Sequence, residues 1–411
     1  MNPQTVHRMK QEWQREFSRH ESAQHPEDFP QLPDMPTARY TDPRYYELEQ
    51  KYLWPKVWLY VGHVDELPEP GSFKLWRDGG VPIVIVRGKD MQIRAFYNTC
   101  QHRGGPLVLE ECGKAPMLVC KYHAWTFDLD GQLRFVPDEH EFPGLDKSAR
   151  SLKPVYCELW GNFMFVNRDP QAVPLLESLG PIARDFTDFA FDKKKVYAKT
   201  SFEISANWKI VMDNFHEVYH VQQLHPRTIN DYLDYRAAVF TLYKGGHSRL
   251  VLPMHAGERG ARAQVLDTGL RTTGRPELEI TRTGNRSYTI FPNIVTPTAE
   301  FQFPLQIFWP TGPNSTRMDV IYIAPEGHND PQSPECQMTV AGFNAVMGED
   351  THLMNAMSQS IRTEALSSIR LGYIERRIYQ HHEHIDRVIG LKNIPQELAM
   401  TPMMEQYCED W

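Results

Sequence analysis

Two short cysteine–histidine pairs in the first third of the chain constrain its fold more than any other feature. A Cys-Gln-His segment runs from Cys100 to His102, and after seventeen residues a Cys-Lys-Tyr-His segment runs from Cys120 to His123. Each pair offers one thiolate and one imidazole, so two loops must meet if all four side chains bind one metal centre. The pattern therefore predicts two adjacent loops held by the same scaffold.

This spacing is compatible with two kinds of metal centre. One is a zinc ion bound by two cysteines and two histidines. The other is a [2Fe-2S] cluster with two thiolates on one iron and two imidazoles on the other. Four further cysteines have no partner at ligand spacing and are interpreted as structural or surface residues: Cys112, Cys157, Cys336 and Cys408.

A second metal-binding pattern begins at His216. His216, Glu217 and His220 satisfy the HExxH motif, in which two histidines bind zinc and the glutamate is the general base of a metalloprotease. The longer form of this motif needs glycine and histidine where Gln223 and Pro226 stand, and no glutamate follows within about thirty residues to act as a third ligand. A zinc metalloprotease is therefore the less favoured hypothesis.

The competing interpretation pairs His220 with His225. Five residues apart on a regular helix, the two side chains would point about 140° away from each other. Both can face one metal only where the helix ends or distorts, and Pro226 favours such an end. Two imidazoles with one carboxylate leave positions open for dioxygen and substrate, the arrangement of iron(II) oxygenases.

Both patterns, in this order, resemble the catalytic (alpha) subunits of Rieske non-haem iron oxygenases, the ring-hydroxylating oxygenases. The segments 100–105 and 120–125 resemble the two ligand loops of the Rieske domain, and 207–226 resembles the segment that carries the mononuclear iron. Lys121 and Ala124 stand where the family typically has proline and glycine. Glu217 stands where the family most often has aspartate, although members that act on quaternary amines can carry glutamate there.

The resemblance implies specific roles for the residues of both patterns. The expected [2Fe-2S] ligands are Cys100, His102, Cys120 and His123, and the expected iron ligands are His220, His225 and Asp350. Asp350 is chosen because Glu349 precedes it and Gln359 follows it, as in the family. Glu217 is expected to link a cluster histidine to an iron histidine, Asn214 and Asp213 are expected near the iron, and His216 is expected to have no ligand role.

At 411 residues the chain exceeds the usual size of one core, so two domains are expected, in the α+β class. The predicted division is an N-terminal helix and extended arm at 1–45, a small all-β Rieske [2Fe-2S] domain at 46–168, and a catalytic mononuclear iron domain at 169–411, with an antiparallel sheet surrounded by helices. Helices are predicted from Trp208 to about Leu224 and from Ala341 to about Val388. Aromatic residues of one predicted strand are assigned to the core: Phe301, Phe303 and Phe308.

Charge and hydropathy exclude several partners. The formal charge of -8 does not provide the positive field that a nucleic-acid surface needs. The polar start of the chain and the lack of about eighteen consecutive apolar residues predict a cytoplasmic protein without a membrane span.

The resemblance also implies an activity and partners. The expected activity is hydroxylation or demethylation of a small aromatic or hydrophobic substrate with dioxygen, with a quaternary amine such as a betaine as the alternative. NAD(P)H electrons would come through a separate flavin-dependent reductase, with or without a ferredoxin. The expected assembly is a homotrimer or an α3β3 complex.

Overall fold

The computed structural model describes residues 3–255, 284–299, 302–363 and 365–409, and the chain divides into two compact units. The small unit is Leu53–Glu177, and the large unit combines Met1–Tyr52 with Ser178–Trp411. The small unit thus begins and ends several residues after the sequence-based limits of 46 and 168. The N-terminal arm belongs to the large unit instead of standing alone. The α+β class is confirmed.

The small unit contains two antiparallel sheets. Its core combines sheet residues such as Val84 and Phe96 with Cys100, Cys120 and Trp125 from the loops between strands, so the loops are anchored by burial. The seven-stranded sheet has the spatial order Leu59–His63, Phe163–Asn167, Pro154–Trp160, Ile93–Tyr97, Ile83–Arg87, Ser72–Trp76 and Cys112–Lys114, and the three-stranded sheet consists of Leu118–Val119, Thr126–Phe127 and Leu133–Phe135.

The apolar runs at 81–86 and 91–97, separated by the turn residues at 87–90, predict a hairpin in the small unit, and this hairpin is present. The strand Ile83–Arg87 begins with four β-branched residues, all of them fully buried. The chain turns at Gly88, whose amide donates to the Gln92 carbonyl at 2.8 Å, and returns as Ile93–Tyr97. The register pairs Val86 with Arg94, so the turn lies where the glycine and polar residues predict it.

The large unit is built on a seven-stranded antiparallel sheet. Its strands Phe303–Gly312 and Ser315–Pro325 are buried over most of their length. Asn344 on the helix Pro334–Ile361 accepts hydrogen bonds from Thr200 at 3.1 Å and from Tyr322 at 2.8 Å, both on the sheet. The spatial order is Lys194–Ile204, Ser315–Pro325, Phe303–Gly312, Ile294–Thr298, Gly284–Ile290, Ser248–Pro253 and Val239–Leu242.

Two helix predictions are wrong in their extent. The predicted helix from Trp208 ends at Asn214, and only a short helical turn, Val221–Leu224, follows. The predicted long helix is two helices, the carboxylate helix Pro334–Ile361 and the histidine-rich helix Arg376–Ile389. Between these two, Ser368–Ile369 pairs with Met35–Pro36, so a contact far away in the sequence overrides the local helical pattern.

The remaining helices are short apart from the first. Helix-forming residues around Val6 to Phe17 predict the N-terminal helix, which spans Pro3–Glu21 and is followed by Ala38–Thr41 and Pro43–Leu48. Leu175–Leu179 contains the boundary between the units, and Pro181–Asp185 follows it. Within the described ranges, no helix combines the length and hydropathy needed to cross a bilayer.

The N-terminal segment is fixed to the large unit by two buried ion pairs. Glu49 accepts from Lys209 at 2.6 Å and from the Trp208 indole at 3.0 Å. Arg39 pairs with Asp386 of the histidine-rich helix at 2.8 Å. All four charged side chains are fully buried, so removing either partner would leave an unpaired charge in the core.

Candidate metal centres

The two loops that carry the cysteine–histidine pairs have the same backbone design. The amide of Cys100 donates to Gly105 at 2.8 Å, and the amide of Cys120 donates to Trp125 at 2.9 Å. Four residues after each cysteine the chain is left-handed, with φ 75° at Gly104 and 55° at Ala124. A left-handed alanine destabilises the fold by about 1 kcal/mol relative to an unstrained residue. This is the cost of having Ala124 where the family typically has glycine.

The loops bring the four predicted cluster ligands to one end of the small unit. Cys100 and Cys120 are buried and unpaired as thiols, and the rings of His102 and His123 lie with centroids 4.7 Å apart. The buried Nδ1 atom of His102 has no hydrogen-bond partner. A Cβ atom at Gly105 would lie 3.0 Å from the Cys120 sulfur, so a glycine is needed where the two loops meet.

The spacing of these four residues favours a two-metal cluster over one zinc ion. Ligands of one tetrahedral ion lie close to one another because each is only about 2.0–2.3 Å from the metal. Among the described residues, two sets of three have ligand atoms within 4.8 Å of one another, and neither includes a member of this group. A [2Fe-2S] cluster places its two ligand pairs on different irons and so fits the wider arrangement.

The segment from Asn207 to His225 positions the second centre. The Asn207 side chain accepts from the Lys209 amide at 3.1 Å and caps the helix that ends at Asn214. The chain then leaves the helix, because the Glu217 carboxylate accepts from the backbone amides of Tyr219 and His220. His220 and His225 consequently flank the single turn Val221–Leu224.

Asp350, in the middle of the carboxylate helix, completes a set of two histidines and one carboxylate. Its Oδ1 atom is 2.9 Å from His225 Nε2 and 3.8 Å from His220 Nε2. Ligand atoms of these three residues all lie within 4.8 Å of one another. Asp350 is 2% exposed, so it is not the solvated carboxylate of an ordinary surface helix.

A further carboxylate lies behind each imidazole. Glu217 contacts Nδ1 of His220, and Glu349 lies 2.6 Å from Nδ1 of His225. Each Nδ1–H therefore donates to a carboxylate, and Nε2 is the ring nitrogen that faces Asp350 and would bind a metal ion. Burial lowers the pKa of His225, but its hydrogen bonds to Asp350 and Glu349 outweigh burial and raise that pKa above its ordinary value.

The contact of Glu349 was not predicted. In the sequence this residue served only to mark Asp350, whereas in the structure it also accepts from the Thr228 hydroxyl at 2.8 Å. Burial would raise the pKa of Glu349, but the hydrogen bonds from His225 and Thr228 hold it below its ordinary value. The only sequence signal for this contact is that Glu349 and Asp350 are adjacent acidic residues on a predicted helix. Their adjacency does not indicate which carboxylate faces which histidine nitrogen.

The other predicted residues take different positions. The Asn214 amide donates to Asp350 at 3.0 Å and so lies beside the three-residue set. Asp213, the preceding residue, lies with His216 and His381 in a separate buried group. His216 is fully buried and is not a member of the set that contains His220, so the two histidines of the HExxH motif do not converge as a protease would require.

A cavity of about 260 Å³ opens at the His220, His225 and Asp350 set. Its walls are mostly apolar, and none of the described residues that line it is lysine or arginine. Phe303 is 2% exposed, in agreement with its assignment to the core, and it also lines the cavity, whereas Phe308 is buried against Phe215 and Phe301 lies outside the described residues. Beside the metal-facing residues, the lining includes Phe215, Val218, Tyr232, Leu250, Leu252, Val295, Gln302, Phe303, Phe343 and Met347.

An all-β unit with two cysteine–histidine loops, followed by an α+β unit with two histidines and a carboxylate, defines an iron–sulfur oxygenase subunit. Two family profiles match the corresponding segments. The Rieske [2Fe-2S] domain profile matches residues 57–152, and that of the ring hydroxylating alpha subunit (catalytic domain) matches residues 191–391. The chain belongs to the alpha-subunit family of Rieske ring-hydroxylating oxygenases.

Curated relatives share about half of the chain. The glycine betaine monooxygenase oxygenase subunit of Chromohalobacter salexigens is 36% identical over 201 residues, which are 49% of this chain and 45% of the relative. The carnitine monooxygenase oxygenase subunit of Acinetobacter baumannii is 38% identical over 208 residues, 49% of this chain and 56% of the relative. The anthranilate 1,2-dioxygenase large subunit of Acinetobacter baylyi is 31% identical over 193 residues, 45% and 41% of the two chains. The chain thus spans about half the length of the relatives it matches.

Solved structures show the same fold over most of the chain. A quaternary ammonium Rieske monooxygenase has a TM-score of 0.71 at 24% identity, covering 90% of this chain and 98% of the other. Naphthalene 1,2-dioxygenase with indole bound has a TM-score of 0.66 at 21% identity, covering 89% and 96%. At these identities the likeness concerns the fold alone.

Proposed function

We propose that this chain is the terminal oxygenase component of a monooxygenase that oxidises a small methylated amine. The carrying observation is the set His220, His225 and Asp350, which opens into a small, mainly apolar cavity. Iron bound there would supply dioxygen activation, with electrons delivered through a [2Fe-2S] cluster. The protein's own contribution is to bind, orient and enclose the substrate.

The proposed cluster ligands are Cys100, Cys120, His102 and His123. Support comes from the buried free thiols, the unpartnered Nδ1 of His102 and the wide spacing of the group. The proposed iron ligands are His220 and His225 through Nε2 and Asp350 through a carboxylate oxygen. In this role Glu217 and Glu349 are positioning residues, because each fixes the proton of one imidazole on Nδ1.

Asn214 is the proposed positioning residue for Asp350. Its amide donates to Oδ1, the same oxygen that faces both histidines. This hydrogen bond fixes the rotamer of Asp350 and so keeps Oδ1 directed at the proposed metal position. Asp213, grouped with Asn214 in the sequence interpretation, takes no part in this arrangement because it belongs to the other buried group.

The lining of the cavity supports a cationic substrate. The charged side chains among its described lining residues are Glu217 and Asp350, and both are acidic. Aromatic rings of Phe215, Tyr232 and Phe303 also face it, and such rings attract methylated ammonium groups within about 6 Å. A volume of about 260 Å³ lies at the small end of ligand sites, which typically measure about 300–1,000 Å³. The glycine betaine and carnitine monooxygenase relatives agree with this substrate class.

The reaction proposed for this class is hydroxylation of a C–H bond next to the ammonium nitrogen. One oxygen atom enters that bond, and the other leaves as water after uptake of two electrons and two protons. The C–N bond of the hydroxylated product then breaks, giving an aldehyde and a protonated amine. The electrons come from NAD(P)H through a separate flavin-dependent reductase, with or without a ferredoxin, and the working assembly is a homotrimer or an α3β3 complex.

Metal content is the first test. Purified protein is expected to be red-brown and to contain three irons at the proposed centres of each chain, two in the cluster and one at His220, His225 and Asp350. Elemental analysis and electron paramagnetic resonance after reduction measure both. Colourless protein with a single zinc and no reducible two-iron signal would exclude the proposed function.

Substrate class is tested with a surrogate reductase and NADH. Oxygen uptake is expected with glycine betaine, carnitine or a related methylated amine, together with stoichiometric aldehyde and amine detected by mass spectrometry. Anthranilate and naphthalene serve as matched aromatic substrates and should give no product. If only an aromatic substrate is turned over, the chain is still an oxygenase, but the proposal that its substrate is a methylated amine is wrong.

A further inference from the structure

A second set of two histidines and one carboxylate lies in the large unit, separate from the set that contains His220. It joins Asp213, at the end of the helix from Trp208, with His216 and with His381 of the histidine-rich helix. His216 and His381 are buried, the Asp213 side chain is 13% exposed, and their ligand atoms lie within 4.8 Å of one another. His216 Nδ1 is 3.9 Å from Asp213 Oδ1, and the two imidazole centroids are 4.6 Å apart.

His216 has no hydrogen bond that would account for its burial. Its side chain is fully buried, and neither ring nitrogen has a hydrogen-bond partner. Leaving two polar atoms unsatisfied in a core is destabilising unless another group binds them. Among the described histidines, only two others have a buried nitrogen without a hydrogen bond, and these are His102 of the cluster loops and His381.

His381 is oriented as a metal ligand would be. Its Nε2 atom is 2.8 Å from the Pro292 carbonyl oxygen, which can only accept. The proton therefore lies on Nε2, and Nδ1 has a free lone pair and no hydrogen-bond partner. A carbonyl that holds the distal N–H while the other nitrogen faces a metal is the usual support of a ligating imidazole.

Asp213 is held in place from its other side. The Tyr40 hydroxyl donates to Oδ2 at 2.5 Å, and His382 Nε2 lies 3.2 Å from both carboxylate oxygens. His382 Nδ1 accepts from Arg39 Nε at 3.2 Å, so its Nε2 carries the proton and donates. These contacts orient the carboxylate but leave its Oδ1 atom directed at His216.

The charges around this set permit a bound cation. Arg39 is paired with Asp386 and Lys209 with Glu49, so both of these neighbouring charges are compensated. Arg377 donates to the Ser248 hydroxyl at 2.6 Å, and burial lowers its pKa to about 9. Arg377 remains charged at neutral pH and opposes a bound cation, and the Asp213 carboxylate is the anionic group of the set that offsets it.

We propose that Asp213, His216 and His381 bind one divalent transition-metal ion, with zinc as the probe that fits this donor set. Two imidazoles and a carboxylate suit zinc, which commonly takes three protein ligands and one water. A buried water that bridges the three side chains is the competing occupant, and it predicts no additional zinc in the metal analysis. The ion would fix the segment between Asn214 and Glu217 against the histidine-rich helix, and this site stands independently of the proposed oxygenase reaction.

Elemental analysis of the full chain tests the site. After incubation with zinc and desalting, wild-type protein is expected to hold one zinc per chain beyond its iron. His381→Gln places an amide near the Nε2 position, keeps a donor for Pro292 and removes Nδ1, so this variant should lose that equivalent and keep all iron. Asp350→Ala should do the opposite, losing iron and keeping zinc. Wild-type protein without the extra metal, or His381→Gln with as much as wild type, overturns the proposal.

A thermal measurement covers the case in which His381→Gln does not fold. Zinc is expected to raise the Tm of wild-type protein, and His216→Leu should abolish that rise and lower the Tm. Without a metal, the same variant would remove two unsatisfied polar atoms from the core and leave the Tm unchanged or higher. An unchanged or higher Tm in His216→Leu would therefore contradict the proposed metal site. Because iron and the cluster spectrum are recorded on the same samples, failure of the oxygenase proposal is seen separately.

Discussion

Asp350→Ala is expected to remove the mononuclear iron, lower turnover by about 100-fold or more, and leave the cluster spectrum unchanged. Asp350 is the only anionic member of its set, and its Oδ1 atom faces Nε2 of both histidines. Without it, two neutral imidazoles would have to hold the ion, and even residues that only support ligands are worth about 10–100-fold in affinity or activity. Iron per chain and steady-state oxygen uptake measure the two effects.

The matched control for this variant is Glu349→Gln, one residue earlier on the same helix. Glu349 contacts His225 Nδ1 but does not belong to the three-residue set. Its glutamine variant is therefore expected to keep the iron and lose at most about tenfold in activity. If Asp350→Ala retained all its iron while Glu349→Gln lost the mononuclear iron, Glu349 and not Asp350 would be the iron ligand.

The candidate ligands could be proposed from the sequence because most of them are close together in it. The cysteine–histidine pairs occupy 24 positions from Cys100 to His123, and one helical turn separates His220 from His225. Their mutual placement follows from loop and helix-end chemistry, which nearby residues encode. Pro226 agrees with the end of the short turn Val221–Leu224 before His225, whereas the helix from Trp208 ends earlier, at Asn214.

Contacts across the fold were not predictable in the same way. Glu349 and His225 are 124 positions apart, and Asp213 and His381 lie on different elements that only the folded chain brings together. The long predicted helix failed for a related reason, since pairing of Ser368–Ile369 with Met35–Pro36 replaces the helical continuation. The run of histidines at 381, 382 and 384 was visible in the sequence, but periodicity alone does not indicate which of them is buried beside a carboxylate.

We propose that Glu217 carries electrons toward the iron as well as supporting His220. Its carboxylate contacts the ring nitrogen of His220 on the side away from Asp350, and His220 is the more exposed of the two histidines, with 21% of its side chain accessible against 1% for His225. Electrons that arrive from a cluster outside the large unit would therefore enter through Glu217 and His220. Glu349 makes the same kind of contact to the buried His225, so a variant of Glu349 is the matched control for a variant of Glu217.

Glu217→Gln is accordingly expected to keep all metals and slow turnover by about 10- to 100-fold. The glutamine carbonyl can still accept from His220 Nδ1–H, so the imidazole stays oriented while the negative charge that polarises it is lost. The decisive measurement is the rate at which the reduced cluster is oxidised in a single turnover with substrate and dioxygen. That rate should fall in Glu217→Gln, recover in part in Glu217→Asp, and stay near the wild-type value in Glu349→Gln. If cluster oxidation is slowed equally in Glu217→Gln and Glu349→Gln, Glu217 only orients His220 and has no role in electron transfer.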